Sequence, residues 1–256
     1  IYTYKIFFRD GDAFPDLVKG AHALEGKDIY SVTRIKDRYA AGGFAGIFLL
    51  SKDLEDTESI KIDGYTPNGN AIFADEDSNC LWFSFRGLMK YHIPSGEVTL
   101  VSRVNSAKAM ARDYDGNFLI GTDYGLFCVN PENGSVQRYR HDSFRSHSLS
   151  NNIVLSIFRD SRNDIWVGTD YGVSVAQKDK EYRYVGLNDI ISEGRGNLIF
   201  SIAMDSSGSL WLGGNNGLIK YSPDGDEEGK WYSSFNNDPL LRLPHNRIRS
   251  VYKDNQ

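Results

Sequence analysis

The chain has 256 residues, 13% of them aromatic, and 29 basic against 34 acidic side chains for a net charge of −5. That length can bury a large core. The charge shows no basic stripe of the kind nucleic acid requires, and no apolar run approaches the roughly 18 residues of a membrane helix. The two cysteines, Cys80 and Cys128, form neither a CxxC pair nor a zinc pattern, and read as isolated buried thiols that say nothing of compartment.

The first residues, Tyr2–Phe8, have the look of a strand. Phe14–Leu24 has some helical spacing, but it is short and carries Pro15 and Gly20, so no long helical period competes with a strand reading. From there one pattern recurs. An Asp is followed six residues later by a large apolar residue, then by Gly at plus two and Gly at plus six. A faint copy ends in Gly42 and Gly46. A loose one runs through Glu76, Trp82, Ser84 and Gly87, one residue short in its last step. Asp113–Leu119–Gly121–Gly125 keeps the spacing with Leu for Trp. Asp160–Trp166–Gly168–Gly172 and Asp205–Trp211–Gly213–Gly217 are the clearest copies. The second glycines recur at intervals of 38 to 47 residues, the length of a four-stranded propeller blade.

The expected fold is therefore all-β, a β-propeller of four-stranded antiparallel blades. About five blades are recognisable, over units of about 28–65, 66–104, 105–148, 149–193 and 194–244, with a partial unit at 245–256. In the best copy Leu198–Met204 is an apolar first strand and Asp205–Ser209 a turn rich in residues that bond nearby backbone. Leu210–Gly213 is the second strand, Leu218–Tyr221 the third and Lys230–Phe235 the outer one. Trp82, Trp166 and Trp211 supply bulk between blades and are not taken as ligand contacts. The first Gly of each copy leaves room for close approach, and the second suits a turn at positive φ. Asn246–Asp254 matches the first strand of a further unit. The expectation is a piece of a longer protein, part of a seven-bladed propeller; the alternative is a small complete propeller in which the N-terminal strand joins the last blade.

Enzyme motifs are sparse. GxSxG, HExxH and the phosphate-loop pattern are absent, and Gly42–Gly46 falls on the repeat's own glycines. His141 and His147 form a loose pair that reads as loop. Asp75–Asn79 and Asp224–Gly229 begin like calcium loops, but Arg86 and Phe235 stand where the closing Glu belongs. No catalytic residue, metal or cofactor is expected.

Topology marks out one end of the blades. The loop between strands two and three and the lead-in to the next blade lie on the same face. The first kind offers Arg86, Asp123, Tyr124, Asp170, Tyr171, Asn215 and Asn216; the second offers His147, Arg195 and Arg242. Tyr, Asn, Asp and Arg together suit a polyhydroxylated ligand, rings covering the apolar face of a sugar and amides or carboxylates bonding its hydroxyls. Each residue alone also suits a polar turn.

Asn152–Asp160 followed by Ile165–Val173 closely resembles the two-component regulator propeller repeat. Leu198–Leu218 and Ala109–Leu126 are similar to it, and the recognisable units cover roughly 28–256. The resemblance implies a periplasmic sensor region of a hybrid two-component receptor that recognises oligosaccharides. It implies partners in the rest of that receptor: a second propeller, a β-sandwich, a membrane helix, a histidine kinase and a DNA-binding response regulator, arranged as a homodimer. It carries over no individual binding residue, and it implies no nucleic acid contact and no membrane span within this chain. Two other functions stay open: a structural or protein-interaction propeller with no ligand of its own, and a propeller polysaccharide lyase or glycosidase. The last would need a pair of carboxylates, for which Asp123 and Asp170 are the repeat-equivalent candidates.

Overall fold

The computed structural model describes residues 2–9, 12–20, 24–144, 148–177, 182–185, 198–223 and 229–253, with the backbone alone over 2–9, 12–20 and 182–185. It contains five four-stranded antiparallel sheets, each a simple meander in chain order. These are the blades of a β-propeller, five as the repeat spacing predicts. The chain divides into two compact units, Ile1–Ala107 and Lys108–Gln256.

The first unit begins with a hairpin, β1 (Tyr2–Arg9) and β2 (Asp12–Gly20). The two strands pair with each other as a two-stranded sheet. Blade 1 follows as β3 (Ile29–Ile35), β4 (Arg38–Gly43), β5 (Gly46–Ser51) and β6 (Thr57–Ser59). Blade 2 is β7 (Ile72–Asp75), β8 (Cys80–Ser84), β9 (Leu88–His92) and β10 (Glu97–Ser102). Ile47, Leu49, Ile72, Leu81 and Phe83 belong to one buried cluster that joins the two blades.

The second unit holds three blades. Blade 3 is β11 (Ala109–Arg112), β12 (Phe118–Thr122), β13 (Gly125–Val129) and β14 (Val136–Tyr139). Blade 4 is β15 (Val154–Arg159), β16 (Ile165–Thr169), β17 (Gly172–Ala176) and β18 (Tyr182–Val185). Blade 5 is β19 (Ile199–Met204), β20 (Leu210–Gly214), β21 (Gly217–Tyr221) and β22 (Lys230–Tyr232). In blade 4 the strand Ile165–Thr169 is buried along its length, because blades 3 and 5 cover its two faces. Leu119, Val154 and Val167 pack between blades 3 and 4. Trp166 packs with Ile199, Ile202 and Leu212 between blades 4 and 5, which is the place the repeat assigns to its tryptophan.

The repeat glycines have the two roles their spacing suggests. A methyl group on Gly168 would overlap Ser156 Oγ and crowd Ile199 of the following blade; Ser156 Oγ donates to the Ile199 carbonyl at 3.1 Å, sealing that approach. The second glycines sit at positive φ, as Gly217 does at 126°, where an L side chain is strained.

Residues 246–253 correct one expectation. They form no strand among the described residues, because a strand is defined by a pairing partner. They are nonetheless held where the first strand of a following blade would run. Ile248 and Val251 lie over Gly213 as Ile199 lies over Gly168, the Ile248 N–H donates to the Gly214 carbonyl at 2.8 Å, and the Val251 N–H donates to Ser201 Oγ at 2.9 Å.

Candidate functional site

The Asp of the repeat is a structural residue. In blade 4, Asp160 Oδ1 accepts the backbone N–H groups of Arg162 and Asp164, both at 2.9 Å, and Oδ2 accepts the Trp166 indole N–H at 3.0 Å. In blade 5, Asp205 Oδ1 accepts from Ser207 N at 2.9 Å and Ser209 N at 3.0 Å. Its Oδ2 accepts from Trp211 Nε1 and pairs with Lys220 Nζ, each at 3.0 Å. Burial alone would raise the Asp205 carboxyl, but the bonds from Ser207, Trp211, Lys220 and Ser209 outweigh it and hold the group well below the usual carboxylate range. In blade 3, where Leu119 replaces Trp, Asp113 Oδ2 accepts from Asn117 Nδ2 at 3.0 Å instead. Cys128, beside it, is pushed up to about 11 by burial and then by the Asp113 charge. It is a free, half-buried thiol, and Cys80 is free and buried.

The opposite end of the blades carries the candidate ligand residues, each on a hairpin locked from behind. Thr122 Oγ1 donates to the Gly125 carbonyl at 3.0 Å and accepts the Tyr124 N–H at 2.9 Å. Thr169 repeats both bonds with Gly172 and Tyr171, at 3.1 and 3.0 Å. Both threonines are buried. Blade 5 has Gly214 in that position, and there the Trp231 indole N–H closes the turn on the Asn216 carbonyl at 3.0 Å. These bonds fix the tips. Tyr124 and Tyr171 stand out from them, 65% and 57% exposed.

Between the blade 3 and blade 4 tips is a charged group. Lys108 Nζ lies 2.6 Å from Asp123 Oδ1. Asp170 is close enough to feel both. Its carboxyl is raised, first by burial and further by the Asp123 charge, with its own backbone N–H and Lys108 opposing. Asp170 Oδ1 and Asn215 Oδ1, equivalent atoms of neighbouring blades, are buried and accept no hydrogen bond. Two carboxylates, an ammonium and two exposed phenols thus share one end of this unit, an arrangement able to bond hydroxyl groups and cover an apolar ring face.

The remaining candidates are more dispersed. Arg242 is exposed, but its Nε donates to the Asn236 carbonyl at 3.1 Å, pinning its own loop. His147 and Arg195 lie outside the described residues, as do Asp224–Glu228. His141, the other member of the loose histidine pair, staples its loop through Nδ1 to the Leu149 carbonyl at 2.7 Å. In the other acidic turn, Asp75 Oδ1 accepts from Ser78 N at 3.4 Å and Glu76 Oε1 from Lys36 N at 3.3 Å.

The first unit has its own hairpin end. Arg86 is exposed there, its guanidinium 5.1 Å from the Tyr65 ring centre and 5.1 Å from that of Phe85. Tyr30 and Phe44 meet edge to face at 5.1 Å. Lys108, Tyr30, Phe44 and Tyr65 escaped the sequence reading. Lys108 and Tyr65 sit in lead-ins without any motif, and only applying the topological rule to every lead-in would have found them. Tyr30 sits at an irregularity in β3, between Ile29 and Ser31, that shifts its register, a device that re-aims a side chain.

The family described as two-component regulator propeller matches residues 148–171 and 193–216. Among solved structures, the chain is similar to the extracellular domain of a Bacteroides thetaiotaomicron protein described as a putative one-component or hybrid two-component system. Identity there is 33% and 32% in two structures, over 91% of this chain and 32% of that one, with TM-scores of 0.54 and 0.55. A second hybrid two-component system extracellular domain from B. thetaiotaomicron is 18% identical over 90% of this chain and 31% of that one, with a TM-score of 0.72. PorZ, a surface component of the type-IX secretion system of Porphyromonas gingivalis, shares the fold at 14% identity over 99% of this chain and 43% of that one, with a TM-score of 0.65. A comparison with curated proteins finds no match. The chain spans about a third of the length of the two B. thetaiotaomicron domains. Among the described residues no helix is long and apolar enough to cross a membrane.

Proposed function

For a chain that carries two-component regulator propeller repeats, we propose the role of a ligand-sensing segment in an extracytoplasmic receptor, with an oligosaccharide as the ligand. The extracellular relatives support the sensor role and a periplasmic location. The ligand class rests on one observation: Tyr124 and Tyr171 are held exposed on locked turns beside the Lys108–Asp123 pair. Rings on a rigid frame bind a sugar face with little loss of conformational entropy, and polar atoms around them take its hydroxyls. Asp123 already neutralises Lys108, which favours binding over acid–base work for the Asp123–Asp170 pair.

A ligand shifts a signalling equilibrium only by binding one arrangement better than another. Among the described residues the blades show no bistable element of their own, which favours a switch in the remainder of the receptor or in a homodimer interface, with a histidine kinase in the same polypeptide as the output. The test is calorimetry and thermal shift of this chain against defined oligosaccharides of plant cell-wall, fructan, mannan and glycosaminoglycan origin, with product analysis. Saturable stabilisation without product is the expected result. Turnover abolished by Asp123→Asn with Asp170→Asn would establish the enzyme instead, and silence from every series would leave a scaffold.

A further inference from the structure

We propose that the hairpin end of the first unit binds an acidic sugar, a pyranose bearing a ring carboxylate, and that Arg86 receives the carboxylate. The proposal rests on the sensor reading and narrows its ligand class.

Blade 2 departs from the other blades at its tip. In blade 4, Gly168 pairs with Val173, and Thr169, Asp170, Tyr171 and Gly172 lie between them. In blade 2, Ser84 pairs with Leu88, and only Phe85, Arg86 and Gly87 lie between. The missing residue removes the carboxylate position and leaves Arg86 at the apex with φ of 58°, a region few non-glycine residues occupy. The Phe85 N–H donates to the Gly87 carbonyl at 2.8 Å, closing the turn.

Arg86 is then steadied by rings alone. Its guanidinium contacts are Tyr65 and Phe85, and among the described residues it has no carboxylate partner. A chain with 34 acidic residues has no shortage of such partners. The fork of five N–H groups that matches a carboxylate is unspent. Arg103, also exposed, directly follows Ser102, whose carbonyl faces Gly87, so the backbone of a second basic residue passes beside this turn.

The aromatic surface continues from Arg86 into blade 1. The Thr66 methyl lies against Gly46, which brings Tyr65 beside the Phe44–Ala45 tip. Phe44 and Tyr65 are 65% and 59% exposed, and Tyr30 meets Phe44 at its edge. A ring carboxylate on Arg86 sets the apolar face of the same sugar, or of its neighbour, against these rings. At the hairpin end of the second unit the cation Lys108 is already matched by Asp123, so acidity is read by blades 1 and 2.

The experiment is titration calorimetry of this chain with oligogalacturonides, unsulfated chondroitin oligosaccharides and oligomannuronates, each beside its methyl ester, with a neutral cello-oligosaccharide and an Asp-rich peptide as comparators. One acidic series binds, and esterification weakens it at least tenfold. Arg86→Ala weakens it equally, and Arg86→Lys retains part, having charge without the fork. Arg86→Gly, which accepts this φ without strain, gives the same loss as Arg86→Ala from a turn that cannot misfold for backbone reasons. Equal affinity for acid and ester, unchanged binding by the Arg86→Ala and Arg86→Gly variants, preference for the peptide, or no binding of any uronate series by the folded chain would each overturn the proposal. Binding of the neutral sugar alone would overturn it and leave the sensor reading standing; binding of no sugar would remove both.

Discussion

Within blades 4 and 5 the two ends treat their carboxylates and amides in opposite ways. At the turn between the first and second strands, both oxygens of Asp160 and of Asp205 have donors. At the hairpin end, Asp170 Oδ1 and Asn215 Oδ1 are buried and have none. A buried unsatisfied oxygen costs about 1–3 kcal/mol, so in these two blades the hairpin end is the less fully bonded of the two. The repeat is therefore strict at one end because the turn and the tryptophan depend on it. It is variable at the other because strand pairing and a Thr or Trp lock already hold the turn, and the tip is left free to meet a partner.

The strongest way to break this contrast is at the strict end. Trp166→Ala should cost about 3–5 kcal/mol in denaturant unfolding, as a large ring lost from a packed interface. Trp166→Phe keeps most of the bulk and removes the donor to buried Asp160 Oδ2, for a loss of about 1–3 kcal/mol. A Phe variant as stable as wild type would show that the Asp–indole bond is incidental to the repeat. Next in size is Gly168→Ala, which overpacks the approach of blade 5 and should cost about 1–3 kcal/mol, only part of it recovered when Ser156→Ala is added, because Ile199 still crowds the new methyl.

Acid is the third probe. The folded Asp205 carboxyl lies below its unfolded value. Its contribution to stability is thus complete above the unfolded pKa of about 4 and is lost as pH falls from there toward the folded value. Unfolding free energy measured between pH 6 and pH 2.5 should fall more steeply for the wild type than for Asp205→Asn, and equal slopes would contradict the bonding described for this turn. The smallest effect on stability belongs to the variable end. Tyr171→Ser should change it by no more than about 0.5 kcal/mol, as an exposed tip residue, while weakening the oligosaccharide binding proposed for that end. Loss of stability without loss of binding would reverse the assignment of the two ends.

Much of this was legible from spacing. Asp160–Trp166–Gly168–Gly172 and its copies locate the blades, the hairpins and both classes of glycine, because each of those positions answers to a backbone requirement that recurs. The reason for the Asp was only half legible. Its turn chemistry is evident from Asp205-Ser206-Ser207-Gly208-Ser209, but its grip on the indole needs the three-dimensional return of β20 past the carboxylate. Asn216 and Arg242, read as ligand candidates by their polarity, also serve the loops that carry them: the Asn216 carbonyl takes the Trp231 N–H and Arg242 bonds Asn236. Tyr65 and Lys108 were invisible for the opposite reason, since nothing local distinguishes a lead-in residue until the folded sheet brings it beside a hairpin tip.

The shortened hairpin of blade 2 also bears on how such a surface changes over generations. Ser84 and Leu88 remain paired, and Leu81, Phe83 and Leu88 remain fully buried, although one position has gone from the loop between them. A tip one residue shorter here carries a guanidinium where the blade 3 and blade 4 tips carry a carboxylate and a phenol, and the hydrophobic interior is intact. Ligand preference and foldability are thereby inherited separately. A lineage can explore new chemistry blade by blade, and a designer can do the same by grafting tips of different length onto one set of strands.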